Sequence, residues 1–274
     1  MDLINKKYLL IEKIGSGTFG SIYKGQNIRT KEFVAIKVES IINSFKLLKN
    51  ETNIYQYLIG CEGIPTIKWY GKDNINYYMV INLLGKSLKD LINENKQISL
   101  LLTLKIGIQI LNILMIIHNK GLVHRDIKPD NFLFGINNDF NKITLIDFGL
   151  CKTYLNKDGG HNKIKQTNNI IGSYNYASIM SHKRVELSRR DDLESLCYIL
   201  LYLCSGSLPW NNLSNEKEII LLKYYIICDD KYKYPSLLID FLKYVRLMKF
   251  EETPNYYLII DKFQRELELL SKKI

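Results

Sequence analysis

The chain has 274 residues, 46% hydrophobic and 24% charged, which excludes a disordered or fibrous protein and suits one catalytic unit built from two lobes. Lys and Arg outnumber Asp and Glu by 38 to 28, a net charge of +10 that favours an anionic partner without choosing its class. The five cysteines, Cys61, Cys151, Cys197, Cys204 and Cys228, are widely spaced and form no CxxC pair, so they read as free thiols in a reducing, intracellular setting.

Met1 to Lys7 lacks the apolar core of a signal peptide. Strand patterns follow at Tyr8 to Ile14, Ser21 to Gly25 and Phe33 to Val38. A helix is predicted from Ser44 to Ile59, its apolar Leu47, Leu48, Ile54 and Leu58 on one face and Gly60 as its stop. Ile64 to Trp69 and Tyr77 to Ile81 complete a small sheet. From Ser87 onward long helices dominate, with short strands near Phe132 and at Thr144 to Ile146. The apolar runs Ser99 to His118 and Leu196 to Cys204 read as buried helices: the first carries Lys105, Gln109 and Asn112, and the second is too short to span a membrane. The expected class is α+β, a small mainly β lobe at about 1–81, a connection at about 82–86 and a larger helical lobe at about 87–274.

Gly15-Ser16-Gly17-Thr18-Phe19-Gly20 fits G-x-G-x-x-G, and Glu39 stands where a dinucleotide fold would want an acid. That fold needs a helix after the last glycine, whereas Ser21-Ile22-Tyr23-Lys24 alternates as a strand. A glycine turn between strands is a lid whose backbone N–H groups can approach phosphates. Val34-Ala35-Ile36-Lys37 ends a strand in a lysine, and an ion pair with Glu51 of the next helix would aim that ammonium at phosphates. In His124-Arg125-Asp126-Ile127-Lys128-Pro129-Asp130-Asn131, Asp126 can accept a hydroxyl proton, Lys128 can reach a transferring phosphoryl group and Asn131 can offer an oxygen to Mg²⁺. Ile146-Asp147-Phe148-Gly149 supplies a second metal ligand in Asp147.

In this order the set resembles a eukaryotic protein kinase over essentially the whole chain. Lys128 with its Lys-Pro-Asp-Asn run resembles the serine/threonine kinases, and Ser173 after Gly172 stands where these place a hydroxyl supporting the base. Gly63-Ile64-Pro65-Thr66-Ile67, Leu83 to Leu88, Tyr176-Ala177-Ser178-Ile179, Ser188 to Leu196 and Gly206 to Trp210 are similar to the casein kinase 1 family. The resemblance implies ATP and Mg²⁺ as cofactors and catalysis by Asp126, Lys128, Lys37 and Glu51, with Asn131 and Asp147 on the metal. It places Ile14, Gly15, Ser16, Gly17 and Gly20 at the nucleotide and Ile22, Ala35, Leu133 and Ile146 on the apolar walls around adenine. Ile81 is then the gatekeeper, the backbone of Asn82 and Leu84 meets adenine, and Asp192 anchors the catalytic loop.

Departures bear on substrate choice. Asn175 and Asn168 stand where the family carries basic residues that read phosphorylated or acidic substrates, and a third basic position beyond Trp210 is lost around Leu221. Arg125 and Lys152 remain as a partial anion site, and Cys197 replaces a usual glycine. The chain stops at Ile274 without a regulatory tail, so constitutive activity is expected. A vaccinia-related-kinase branch and a kinase-shaped pseudokinase are the alternatives. The partners expected are protein substrates, acidic ones among them, with no specific nucleic acid, no membrane and a monomeric state, in cytoplasm or nucleus.

Overall fold

The strand alternation of the first eighty residues produces a six-stranded antiparallel sheet in the order β1-β2-β3-β4-β6-β5. Its strands are β1 (Leu3–Ile4), β2 (Tyr8–Gly17), β3 (Gly20–Asn27), β4 (Phe33–Ser40), β5 (Ile67–Lys72) and β6 (Asn76–Asn82). The computed structural model describes residues 3–17, 20–42 and 47–272. They fall into two compact units, Met1–Lys86 with Leu133–Gly149, and Ser87–Phe132 with Leu150–Ile274.

Period-two alternation gives the sheet two different faces. Val34, Ile36 and Val38 pack with Ile4, Tyr8, Tyr78, Val80 and Trp69 into an apolar cluster. Ala35 and Lys37 point the other way, with Ile22 and Met79 in register with Lys37 and Ile81 in register with Ala35. Helix α1 (Leu47–Tyr57) joins this unit, and the chain leaves it through Gly60 at φ +79°. The predicted start at Ser44 lies outside the described residues. The strand expected at Ile64 to Trp69 is displaced to Ile67–Lys72. Pro65 has no N–H to donate, and the Thr66 N–H goes to Asn82 Oδ1 at 3.1 Å instead of a ladder. Strands β8 (Phe132–Gly135) and β9 (Asp139–Leu145) pair with each other, so the strand expected through Ile146 stops one residue earlier.

The second unit is helical. Ser87 and Asp90 form a capping box on α2 (Leu88–Asn95), and Ser188 and Asp191 form another on α5 (Arg189–Ser205), which ends at Gly206 with φ +75°. Helix α3 (Leu100–Asn119) packs on α5 and on α8 (Tyr256–Ser271), and Gly107 leaves room for Leu200 and Phe263. By length and composition α3 is the one helix among the described residues able to cross a membrane, and half of its apolar window is buried here. Strand β7 (Leu122–Val123) pairs with β10 (Lys152–Thr153). The short α4 (Ile179–His182), then α6 (Glu216–Tyr225) and α7 (Ser236–Leu247), complete the unit. Cys197 lies fully buried within α5.

Candidate functional site

In the first unit, Gly17 faces Gly20, Ser16 faces Ser21 and Gly15 faces Ile22, so the two strands run together up to the tip. Thr18 and Phe19 lie outside the described residues. The chain continues past Gly20 as a strand, which removes the helix a dinucleotide fold requires. Glu39, the acid that fold would have used, is buried, and its Oε2 accepts the Leu48 N–H of α1 at 2.7 Å. The glycines differ in what they do. A Cβ on Gly20 would sit 2.2 Å from Val38 O, so packing alone requires glycine there. A Cβ on Gly15 would meet only Ile22, at 3.7 Å, so the protein's own packing leaves this position open. Ile14, beside it at a register shift, is 49% exposed.

Lys37 Nζ donates to Glu51 Oε2 at 2.7 Å and to Asp147 Oδ1 at 3.0 Å. Burial opposes the charge on Lys37, but the two carboxylates outweigh it and raise its pKa. Glu51, 2% exposed, is pushed up to about 7 by burial, against the pull of Lys37. Asp147 sits at φ +65°, a left-handed conformation that costs a non-glycine residue about 1 kcal/mol. Its N–H donates to Tyr55 Oη at 3.1 Å, and the Tyr55 ring meets Phe148 edge-on at 5.0 Å. Ile22, Ala35, Asn82, Leu84, Leu133 and Ile146 are half-buried and Ile81 is buried, all in this unit. The Gly85 N–H donates to Phe134 O at 2.9 Å and the Phe134 N–H to Lys86 O at 2.9 Å, tying the segment after β6 to β8.

Asp126, Lys128 and Asn131 belong to the second unit. Asp126 is 8% exposed, and its oxygens have separate partners. Oδ1 accepts from the Ser173 N–H at 3.0 Å and Ser173 Oγ at 2.9 Å, and Oδ2 accepts from Lys128 Nζ at 2.6 Å. Asn131 Nδ2 donates to Asp126 O at 2.9 Å, which commits the amide nitrogen and leaves the oxygen as the ligating end. Arg125 is left-handed at φ +69°. Its N–H donates to Asp192 Oδ1 at 2.8 Å, and the His124 N–H donates to Asp192 Oδ2 at 2.7 Å. Burial tends to raise the pKa of Asp192, but its bond to His118 and the charges of His118 and His124 lower it overall. The loop is therefore pinned from the buried α5. Gly172 stands at φ +88°, where a Cβ would lie 2.6 Å from Arg125 O.

Six basic residues of the second unit have internal partners. Arg125 Nη1 at 3.3 Å, Lys152 Nζ at 2.7 Å and Lys165 Nζ at 3.7 Å converge on the buried Glu186. The partial anion site expected from Arg125 and Lys152 therefore already holds an internal carboxylate. Arg184 makes a bidentate pair with Glu216 at 3.0 and 2.9 Å. Arg189 donates to Tyr154 Oη and Glu251 O, and Arg190 to Met248 O.

Three features have no counterpart in a local sequence pattern: the Glu186 hub, the Tyr55 contact to Asp147, and Lys223. Lys223, two residues beyond Leu221, where the resemblance implies a lost basic group, is fully buried and donates to backbone carbonyls. Of these, only the convergence of Arg125 and Lys152 is anticipated from the sequence.

These donors suit a magnesium nucleotide. Magnesium binds through one or two protein oxygens while phosphates and water supply the rest. Among the described residues no group of three or more His, Cys, Asp or Glu could hold a metal by itself. Asn131 in the second unit offers a hard oxygen, and in the first unit Asp147 offers another, Lys37 a retained positive charge and Gly15 an open backbone. Residues 8–256 match the family model described as protein kinase domain.

Proposed function

The chain belongs to the protein kinase family, and on that premise we propose a serine/threonine kinase of the casein kinase 1 type that uses ATP and Mg²⁺. The observation that carries this is Asp126, one oxygen held by Ser173 and the other by Lys128 at 2.6 Å. A carboxylate so fixed can orient a substrate hydroxyl and take its proton as the new O–P bond forms and the bond to ADP breaks. Lys128 offsets charge on the γ-phosphate. Lys37, kept charged by Glu51, positions the α- and β-phosphates, and the backbone of Gly15, Ser16, Gly17 and Gly20 covers them. Ile14, Ile22, Ala35, Leu133 and Ile146 wall the base, Ile81 limits its depth, and the backbone of Asn82 and Leu84 meets its edge. Asn131 and Asp147 would hold Mg²⁺, which supplies charge neutralisation at the phosphate oxygens when bound. Most of the acceleration then comes from positioning and electrostatics.

Two further elements belong to this reading. The Glu186 hub already satisfies Arg125, which supports activity without phosphorylation of the activation segment. Asn175 and Asn168 in place of basic residues support a weaker requirement for a primed or acidic substrate. The five cysteines are free, which supports an intracellular setting, and the protein is read as a monomer.

The test is a panel of serine, threonine and tyrosine peptides, each primed, acidic or neutral, offered to dephosphorylated protein with labelled ATP and Mg²⁺. Label on serine and threonine, with primed and neutral peptides within about tenfold of each other, is expected. Label on tyrosine, or a strong demand for the primed peptide, contradicts the respective part. No label on any peptide indicates a pseudokinase.

A further inference from the structure

The strip from Gly172 to Ser178 runs between β10 and α4 with no helix or strand of its own, so its carbonyls need partners from elsewhere. Three of them accept from buried side chains. Lys223 Nζ donates to Tyr174 O at 2.9 Å and to Ala177 O at 2.7 Å, and Trp210 Nε1 donates to Asn175 O at 2.8 Å. Lys223 and Trp210 are both 0% exposed. Nζ also stands 3.0 Å from His182 Nε2, 4.8 Å from the Tyr198 ring centre and 5.3 Å from that of Trp210. A lysine usually carries its ammonium to water, and this one is turned inward against carbonyls, an imidazole and two rings.

The same strip contains Ser173, whose N–H and Oγ both bond Asp126 Oδ1. The Tyr176 and Ala177 N–H groups return to Ser173 O at 2.9 and 2.7 Å. A displacement at Tyr174 or Ala177 is thus passed to Ser173 through a single turn, and from Ser173 to the carboxylate.

We propose that Lys223 and Trp210 form an internal clamp that holds the strip and, through Ser173, sets the position of Asp126. Lys223 is a positioning residue, and its effect on turnover rests on reading Asp126 as the catalytic base. The hydrogen-bond count supports the clamp. Burial, opposed by Glu194 and reinforced by Arg246, pushes the Lys223 pKa down to about 7, and burial together with Lys223 holds His182 near 4. A neutral amine has two N–H donors for the two carbonyls and one lone pair for an imidazole N–H. An ammonium would instead give three N–H donors to the two carbonyls and an imidazole lone pair, so Nζ finds a partner at every position in either state.

The experiment compares full-length wild type, Lys223→Met and Trp210→Phe. Peptide kcat, KM for ATP, thermal midpoint and hydrogen exchange over residues 173–177 are measured. Lys223→Met should lose about tenfold in kcat per folded molecule with KM for ATP within about twofold, and Trp210→Phe about threefold in kcat. Amides of the strip should exchange faster in both variants. A purely structural role would lower the midpoint and leave kcat per folded molecule and ATP binding unchanged, which overturns the clamp. If Lys223→Met does not fold, Trp210→Phe decides: unchanged kcat and exchange overturn the proposal. If wild type transfers no phosphate, the kinase reading fails on its own. Strip exchange then still decides the clamp, and unchanged exchange refutes it.

Discussion

Lys37 and Lys223 both lie deep in this protein, one in each unit, and their surroundings drive them in opposite directions. Lys37 contacts two carboxylates, Glu51 and Asp147, and its pKa is raised despite burial. Lys223 has two carbonyls and an imidazole, and burial takes it down to about 7. The difference shows how one side-chain type serves two ends. A buried ammonium survives only where carboxylates replace its lost hydration; elsewhere the amine remains useful as a neutral donor. On the proposed reading Lys37 meets phosphates as a cation, whereas Lys223 bonds backbone carbonyls. Glu186 is the inverse of Lys37, a buried carboxylate among three cations.

The comparison can be broken most severely at Lys37. Lys37→Met removes the cation bonded to Glu51 and should cost about a hundredfold or more in kcat; retention of wild-type turnover would remove phosphate positioning from its role. Glu186→Ala is next, leaving Arg125, Lys152 and Lys165 without their shared carboxylate. A loss of about 2 kcal/mol is expected in urea unfolding, reduced from a fully buried pair because Lys152 is 38% exposed.

The third prediction concerns pH. The folded Lys223 pKa lies below the ordinary 10.5, so above about pH 7 the unfolded chain binds more protons than the folded one. Its contribution therefore makes stability rise with pH, by at most about 1.4 kcal/mol per unit. The window is pH 7 to about 8.5, below the range of ordinary thiols. The charged and titratable groups around Lys223 are His182 of α4, Glu194 and Tyr198 of α5 and Arg246 of α7. His182 titrates lower, near 4, and the Tyr198 pKa is raised well above its ordinary value. Comparison with Lys223→Met isolates the lysine: the difference in stability between the two proteins should grow in favour of wild type across this window. A constant difference would mean Lys223 stays charged. The smallest effect is on the stability of Lys223→Met itself near pH 7, a change within about 1 kcal/mol, since relief of the buried amine offsets the two carbonyls left without their donor.

What could be read in advance follows the range of the interaction. Tyr8, Val34, Ile36 and Val38 announced their strands because alternation is local, and the Lys37–Glu51 pair was legible because strand and helix adjoin in sequence. Pro65 moved a strand by three residues through one missing donor, and the side chain that took the next N–H, Asn82, is remote in the chain. Lys223 with Tyr174 and Ala177, and Glu186 with Arg125, join residues dozens apart with no periodicity to mark them. Substitution at Asn175 was visible as a lost charge. That its carbonyl is held by Trp210 Nε1 required the tertiary structure.

The most direct test of the central claim compares wild type with Asp126→Asn in transfer of labelled γ-phosphate from ATP with Mg²⁺ to a serine peptide, with nucleotide affinity measured in parallel. The geometry predicts label on the peptide with wild type, a loss of at least about a hundredfold in the variant and nearly equal nucleotide affinity in both. Equal labelling by the two proteins would contradict it.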